Sequence, residues 1–310
     1  MRLIRQHALG GPDVLRVEEL ARPTPAAGEV LVRVAAAGVN PVDWKVRTRG
    51  GFLGEPPFTV GWDVAGVVEE AGAAVADFAP GDRVFGMPRF PEEAAAYAEY
   101  VTAPSNELAA TPDALSDVEA GALPLAGLTA WQALVGVADL QPGQRVLILA
   151  AAGGVGHLAV QIAKARGAFV IGTAGAAKHP FLDQLGADEK IDYTSDAVED
   201  VVSDVDVVLD LVGGEGSAPT VACVRDGGIF IAIPSASALD HLRERAGDRV
   251  RVTSMLVRPD REGLEALGAL VENGRLKVHV ERTFPLAEAA RAHELGEQGH
   301  TRGKLVLTVD

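Results

Sequence analysis

The segment Val146-Leu147-Ile148-Leu149-Ala150-Ala151-Ala152-Gly153-Gly154-Val155-Gly156 constrains this chain more than any other. An apolar run breaks there into small residues and continues as His157-Leu158-Ala159-Val160-Gln161-Ile162-Ala163-Lys164. The pattern predicts a buried strand, a tight turn and a helix N-terminus. Small residues let the backbone approach a pyrophosphate closely, where exposed amides and the positive end of the helix dipole meet its charge. Against the GxGxxG fingerprint, Ala151 stands at the first glycine position while Gly153 and Gly156 fill the second and third. A second apolar strand, Ala168-Phe169-Val170-Ile171-Gly172, completes a βαβ unit of about 30 residues. A dinucleotide is the ligand such a unit holds; the bland alternative is a glycine-rich turn with no ligand.

Where the second strand ends, an NAD-selective site offers an Asp or Glu to the ribose 2′-hydroxyl. Here the chain reads Gly172-Thr173-Ala174-Gly175-Ala176-Ala177-Lys178-His179, with no carboxylate. Thr173, the backbone amides and Lys178 suit a 2′-phosphate, so the expected cofactor is NADPH. Lys178 has an equally ordinary reading as a solvated lysine at a helix start.

The 310 residues are enough for two domains, each with its own core. A formal net charge of −15 argues against nucleic acid or an anionic membrane as partner, because both carry charge of the same sign. No apolar run reaches transmembrane length and the N-terminus lacks the apolar core of a signal peptide, so the expected compartment is the cytoplasm. Cys223 is the single cysteine, which leaves neither an internal disulfide nor a cysteine-rich zinc site. The seven histidines show no helical pair spacing of the HExxH kind, so no metal is expected.

From Leu15 to about Thr111 the pattern is one of short alternating segments punctuated by glycine and proline: Glu29 to Gly38, Val64 to Gly72 and Gly81 to Gly86. These read as strands of a twisted, barrel-like antiparallel domain. Ala94-Ala95-Ala96 and its neighbours read as a surface loop or helical turn. After about residue 120 helix and strand alternate, which means a parallel, doubly wound sheet. Its expected strands are Val146 to Leu149, Phe169 to Gly172, Lys190 to Ile191, Val205 to Leu209, Gly228 to Ile233 and Val250 to Thr253, with Pro180 near the start of a helix. Leu264 to Val271 forms an amphipathic helix closed by Asn273-Gly274, and Lys304 to Val309 a strand that returns to the first domain.

Several ordered segments carry a family resemblance. They are Ala37-Gly38-Val39-Asn40-Pro41-Val42-Asp43, Gly61-Trp62-Asp63-Val64-Ala65-Gly66-Val67-Val68, Leu125-Ala126-Gly127-Leu128-Thr129-Ala130-Trp131, the glycine turn, Leu185-Gly186-Ala187-Asp188, Asp210-Leu211-Val212-Gly213-Gly214, and Ala292-His293-Glu294 with Gly299-His300-Thr301-Arg302-Gly303-Lys304. Over essentially the whole chain they resemble the medium-chain dehydrogenase/reductase superfamily, in its zinc-independent quinone oxidoreductase (zeta-crystallin-like) branch. The resemblance implies an α/β chain: a GroES-like antiparallel β-barrel catalytic domain over 1–120 and 258–310, and a Rossmann domain binding NADPH over 121–257. It also implies a homodimer whose cofactor-domain sheets join edge to edge, for which Phe230 to Ile233 offers an apolar strand. Zinc-dependent members use a cysteine and a Gly-His-Glu segment as ligands; this chain has Asn40 and Gly61-Trp62-Asp63 in those regions, and the four-cysteine lobe is missing.

Without a Lewis acid, hydride transfer favours acceptors that spread the delivered charge, namely quinones and conjugated carbonyls. The resemblance places Asn40 and Asp43 beside the nicotinamide, with Asn40 as a polar contact to cofactor or substrate; an Asn-Pro turn residue bonded to its own backbone is the competing reading. Some relatives carry a proton-donating tyrosine two positions after the acidic residue, where this chain has Lys45. Either Lys45 or water then supplies the proton. Further cofactor contacts implied by position are Thr129; Ala152, Gly153, Gly154, Val155 and Gly156; Thr173, Ala174 and Lys178; Tyr193 at the adenosine end; Val212, Ile233 and Ser235 after the fourth and fifth strands; and Arg302 and Lys304 closing over phosphates or nicotinamide. The leading expectation is an NADPH-dependent quinone reductase. An enoyl or enone reductase is the close alternative, and a non-catalytic NADPH-binding redox sensor the more distant one.

Overall fold

The computed structural model describes residues 1–233 and 239–309, and the chain divides into two compact units, each considered by itself. The second unit comprises Thr129–Val257 and Arg275–Lys277. Among the described residues its sheet has six strands: Arg145–Ile148, Phe169–Thr173, Glu189–Ile191, Val205–Asp210, Val224–Ala232 and Arg251–Ser254. All pairings are parallel. Numbered along the chain, the strands lie in the order 3-2-1-4-5-6. The order reverses between the first and fourth strands, and such a sheet binds ligands at that reversal, outside the carboxyl ends of its strands. The central strands are apolar on both faces because the crossover helices cover both. Leu147, Ile171, Val208 and Phe230 are fully buried in one core with Val198, Val221 and Leu242.

Phe230–Ala232 belongs to a strand flanked on both sides, by Val205–Asp210 and Arg251–Ser254. It therefore offers no free edge, contrary to the expectation from its apolarity. Among the described residues the edge strands are Glu189–Ile191 and Arg251–Ser254.

The first unit comprises Met1–Leu128, Arg258–Gly274 and Val278–Asp310. Its main sheet, counted over the described residues, runs in the order Val280–Pro285, Lys304–Thr308, Glu29–Val39, Val64–Ala71, Arg83–Gly86, Leu108–Ala110, with Tyr100–Pro104 also paired to Glu29–Val39. The pairings are antiparallel except for Val280–Pro285 with Lys304–Thr308. Alternate residues of these strands, among them Val30, Val32, Val34, Val84 and Val101, make a separate core with Leu3, Phe78 and Leu108. The last strand returns to this unit, pairing Leu305 with Val39.

The first unit runs eight residues further than the sequence indicated. Gly121 packs against Ala36, and Gly127 against Leu267, so this helical segment is part of its core. Arg275–Lys277 join the second unit because the Gln161 side-chain amide bonds the backbone of Lys277 twice, each time at 2.9 Å. Arg261–Glu272 is the expected amphipathic helix, with Asp260 accepting from the Gly263 amide at 3.0 Å and Gly274 in the left-handed region (φ 67°) beyond its end. Ala94-Ala95-Ala96 lies in an irregular segment that follows the exposed Glu92 and Glu93 and turns Ala94 and Ala96 inward. Among the described residues no helix is long and apolar enough to cross a membrane.

Candidate functional site

The glycine turn stands where the sequence placed it. Strand Arg145–Ile148 leads into a turn that opens helix Gly156–Ala165. A side chain at Gly156 would run into Ala150 O and lie 2.7 Å from Ala151 Cα, so the third glycine lets helix and strand touch. Gly153 spends its amide on Ala150 O at 2.9 Å, and its carbonyl accepts the amide of His157 at 3.0 Å. The amides of Gly154, Val155 and Gly156 have no acceptor among the described residues. They are orphan donors of a helix start, grouped where an anion is bound.

Thr173 and Ala174 frame this turn and do not face outward. The Thr173 hydroxyl accepts the Ala150 amide at 3.1 Å and its carbonyl accepts the Ala151 amide at 2.9 Å. Ala174 donates to Ile191 O at 3.1 Å and accepts from His179 Nε2 at the same distance. Ala152 is buried at 2% exposure. Lys178 ends the short 3-10 turn Ala176–Lys178 and is half-buried. Tyr193 and Val212 are exposed. Both follow carboxyl ends of strands, and so does Ile233, whose amide donates to Asp210 O at 3.0 Å. Asp210 shapes its own corner: Oδ1 accepts the Val212 and Gly213 amides, each at 2.9 Å, and Oδ2 accepts from Ser217 at 2.7 Å. Thr129 is buried in helix Pro124–Trp131. Ser235 lies outside the described residues.

In the first unit, Asn40, Asp43 and Lys304 come together in a buried polar cluster. Asn40 caps helix Pro41–Arg49, and Asp43 Oδ2 accepts the Asn40 amide at 2.7 Å. Asn40 Nδ2 donates to Asp63 Oδ2 at 2.8 Å, and Lys304 Nζ donates to Asn40 Oδ1 and to Val39 O at 3.0 Å. Lys304 Nζ also stands 3.6 Å from Asp63 Oδ2. The other oxygen of Asp63 accepts the Leu125 amide at 2.6 Å. A side chain at Gly38 would collide with that Asp63 carboxylate, so the glycine of Ala37-Gly38-Val39-Asn40 makes room for the cluster.

A directional chain of hydrogen bonds runs into Asp43 from the opposite side. Arg47 Nη1 lies 3.1 Å from His293 Nδ1; a guanidinium only donates, so Nδ1 accepts and Nε2 carries the proton. Nε2 then donates to the Tyr97 hydroxyl at 3.1 Å, and Tyr97 donates to Asp43 Oδ2 at 2.9 Å. Glu297 anchors Arg47 at 2.7 Å. Asp43 Oδ1 has no partner among the described residues. Burial accordingly lifts the Asp43 carboxyl from 3.8 to about 7, although the Asn40 amide and Tyr97 pull it down. Burial raises Asp63 and lowers Lys304, and the attraction between the two opposes both shifts. Burial, with the nearby Arg47 charge, depresses His293 to about 3.

Two sequence expectations change here, those for Lys304 and Lys45. Lys304 is buried at 3% exposure with its amine turned onto Asn40, Val39 and Asp63, so it does not close over phosphates. Lys45 is exposed: two residues along a helix is about 200° around it, which turns Lys45 away from the face that buries Asp43. Arg302 is exposed, its amide bonded to Glu281 and its Nε 3.2 Å from His279 Nε2. Asp63 and His293 stand in two of the segments that carry the resemblance, Gly61-Trp62-Asp63 and Ala292-His293-Glu294, but neither they nor Tyr97 and Arg47 were assigned to the site from sequence. An ammonium bonded between Asn40 and Asp63 is the wrong donor set for a metal ion, and the described residues hold no cluster of three or more His, Cys, Asp or Glu arranged to bind one.

Comparison with known proteins gives concordant matches. Models of an alcohol dehydrogenase GroES-like domain and of a zinc-binding dehydrogenase match residues 26–113 and 185–307. The structure of a quinone oxidoreductase from Coxiella burnetii superposes with a TM-score of 0.94 at 38% identity, covering 100% of this chain and 99% of that one. The Escherichia coli quinone oxidoreductase complexed with NADPH superposes at 0.90 with 30% identity, covering 99% and 100%. An Arabidopsis thaliana NADPH-dependent alkenal/one oxidoreductase is 35% identical over 311 residues, 96% of this chain and 77% of the relative.

Proposed function

Because the chain belongs to the zinc-independent quinone oxidoreductase family of the medium-chain dehydrogenases and reductases, we propose that it is an NADPH-dependent reductase acting on quinones. The observation that carries this reading is the trio of unpaired amides, Gly154, Val155 and Gly156, at the helix start beside the strand-order reversal. These amides fit a pyrophosphate. Lys178, on a segment without a carboxylate, fits a 2′-phosphate and favours NADPH over NADH.

When bound, the reduced nicotinamide supplies a hydride, two electrons with one proton. Asn40 donates from Nδ2 to a carbonyl oxygen, an interaction that strengthens as that oxygen gains charge. The second proton reaches the reduced product from water in this reading, which the exposure of Lys45 beside the buried Asn40 and Asp43 supports. In quinone reduction both oxygens end as hydroxyls; in enone reduction the hydride goes to the β-carbon and the proton to the α-carbon.

Enone reduction is the second reading, supported by the similarity to the alkenal/one oxidoreductase. Steady-state oxidation of NADPH and NADH with benzoquinone, naphthoquinone and a simple enone separates the two. Turnover with the quinones above that with the enone, and with NADPH above NADH, is expected. Turnover confined to the enone transfers the assignment to the second reading, and NADPH binding without turnover of any acceptor leaves a nucleotide-binding protein in place of a reductase.

A further inference from the structure

The amide of Asn40 is held at every point but one. We propose that the buried Lys304–Asp63 pair is a positioning device that locks Asn40 in one orientation, so that the protein presents a single hydrogen-bond donor to a ligand's carbonyl oxygen. The inference rests on the reading above, in which Asn40 faces cofactor or substrate. An asparagine amide has two orientations that differ by exchange of O and NH₂. In the observed one, Oδ1 accepts from the Lys304 amine and Nδ2 donates to the Asp63 carboxylate at 2.8 Å. The exchanged orientation points NH₂ at an ammonium and O at a carboxylate, two repulsive contacts in a buried setting where each counts for more than in water.

The backbone makes this arrangement reproducible. Strand Lys304–Thr308 pairs antiparallel with Glu29–Val39 so that Leu305 faces Val39, which sets Lys304 across from Asn40. Asp63 precedes strand Val64–Ala71 and reaches Asn40 over the missing side chain of Gly38. Asp43 fixes the main-chain amide of Asn40. What remains is the second Nδ2 hydrogen. Asn40 is 1% exposed, and Asp63 is the partner of its Nδ2 among the described residues. A lone donor suits an acceptor oxygen, either the conjugated carbonyl of a substrate or the carboxamide carbonyl of the nicotinamide.

The test is a double-mutant cycle joined to a measurement that needs no turnover. Removing Lys304 alone strands a buried carboxylate, so Lys304→Met is paired with Asp63→Asn, which removes both charges together. In cofactor-free wild type the proposal expects two resolved Asn40 side-chain proton signals by NMR, one exchanging slowly. The paired variant should speed that exchange at least tenfold. With naphthoquinone its kcat should fall at least tenfold. An NADPH Kd unchanged within twofold assigns the contact to the substrate's oxygen, and a tenfold weaker Kd assigns it to the carboxamide. In an Asn40→Ala background the same pair of changes should alter kcat and Kd less than twofold further.

Rapid exchange of both protons in wild type overturns the proposal. So do kcat and Kd within twofold of wild type in the paired variant, and losses that multiply in the Asn40→Ala background. A wild type that turns over no acceptor overturns the reductase reading instead, and the proton exchange still decides whether Asn40 is locked.

Discussion

Asp43 holds a carboxyl in a place that resists its charge, and the consequence is a pH dependence of opposite sign to that of an ordinary paired carboxylate. Its folded value of about 7 lies above the ordinary 3.8, so the stability it contributes is present below pH 3.8 and is lost as pH rises to 7. His293 works the other way: depressed from 6.5 to about 3, it contributes stability present above pH 6.5 and lost as pH falls towards 3. Between 3.8 and 6.5 the folded state has one extra proton on Asp43 and one fewer on His293, and the two slopes cancel. Asp43→Asn removes one of them. The stability of this variant relative to wild type, measured by urea unfolding, should then climb by about 1.4 kcal/mol per pH unit between pH 4 and 6.5. A difference that stays flat across that range would falsify the assignment of Asp43. This cluster was only partly legible in the sequence. Asn40 and Asp43 were found through a motif, but Tyr97 and His293 lie 54 and 196 positions apart along the chain where they meet Asp43 and each other. No local pattern records such a meeting.

The strand-turn-helix element is where local chemistry and fold agree most closely. A buried parallel strand is a short apolar run, the turn must be small, and the helix then follows with Leu158, Val160 and Ile162 buried. These demands act on neighbouring residues, which is why the element was readable while the edge of its sheet was not. Apolarity marks Phe230–Ala232 as buried, and an interior strand is as apolar as an edge strand covered by a partner. Gly156→Val tests the element. Its side chain must displace Ala150 O and Ala151, a strain of about 1–3 kcal/mol, and it shifts the three unpaired amides with the backbone. A lower urea midpoint together with at least tenfold weaker NADPH binding, by fluorescence titration, is expected; binding at wild-type strength removes the turn from the cofactor site. Lys178→Ala tests the segment after the next strand. It should raise KM for NADPH by an order of magnitude and leave KM for NADH nearly unchanged, because only NADPH carries the 2′-phosphate. Equal effects on both cofactors would mean that Lys178 serves another group.

At the scale of the molecule, the second unit is an insertion: the chain leaves the first unit at Leu128 and re-enters it at Arg258. The change of pattern near residue 120 revealed this organisation, but not the boundaries, because Gly121 and Gly127 are placed by packing against distant Ala36 and Leu267. Each unit has its own core, so a ligand held by the backbone of the second acts first on the opening of that unit. Binding to the native state alone stabilises by RT ln(1 + [L]/Kd), about 2.7 kcal/mol at a hundredfold excess over Kd, and slows exchange through the corresponding opening about a hundredfold. Hydrogen exchange with NADPH at that excess should therefore show strands Arg145–Ile148 and Val205–Asp210, which flank the strand-order reversal, slowed by about that factor. The effect should shrink in Lys178→Ala at the same NADPH concentration, because affinity and protection are linked through Kd. Strands Arg145–Ile148 and Val205–Asp210 exchanging at the ligand-free rate would detach the cofactor from this sheet, whatever the turnover.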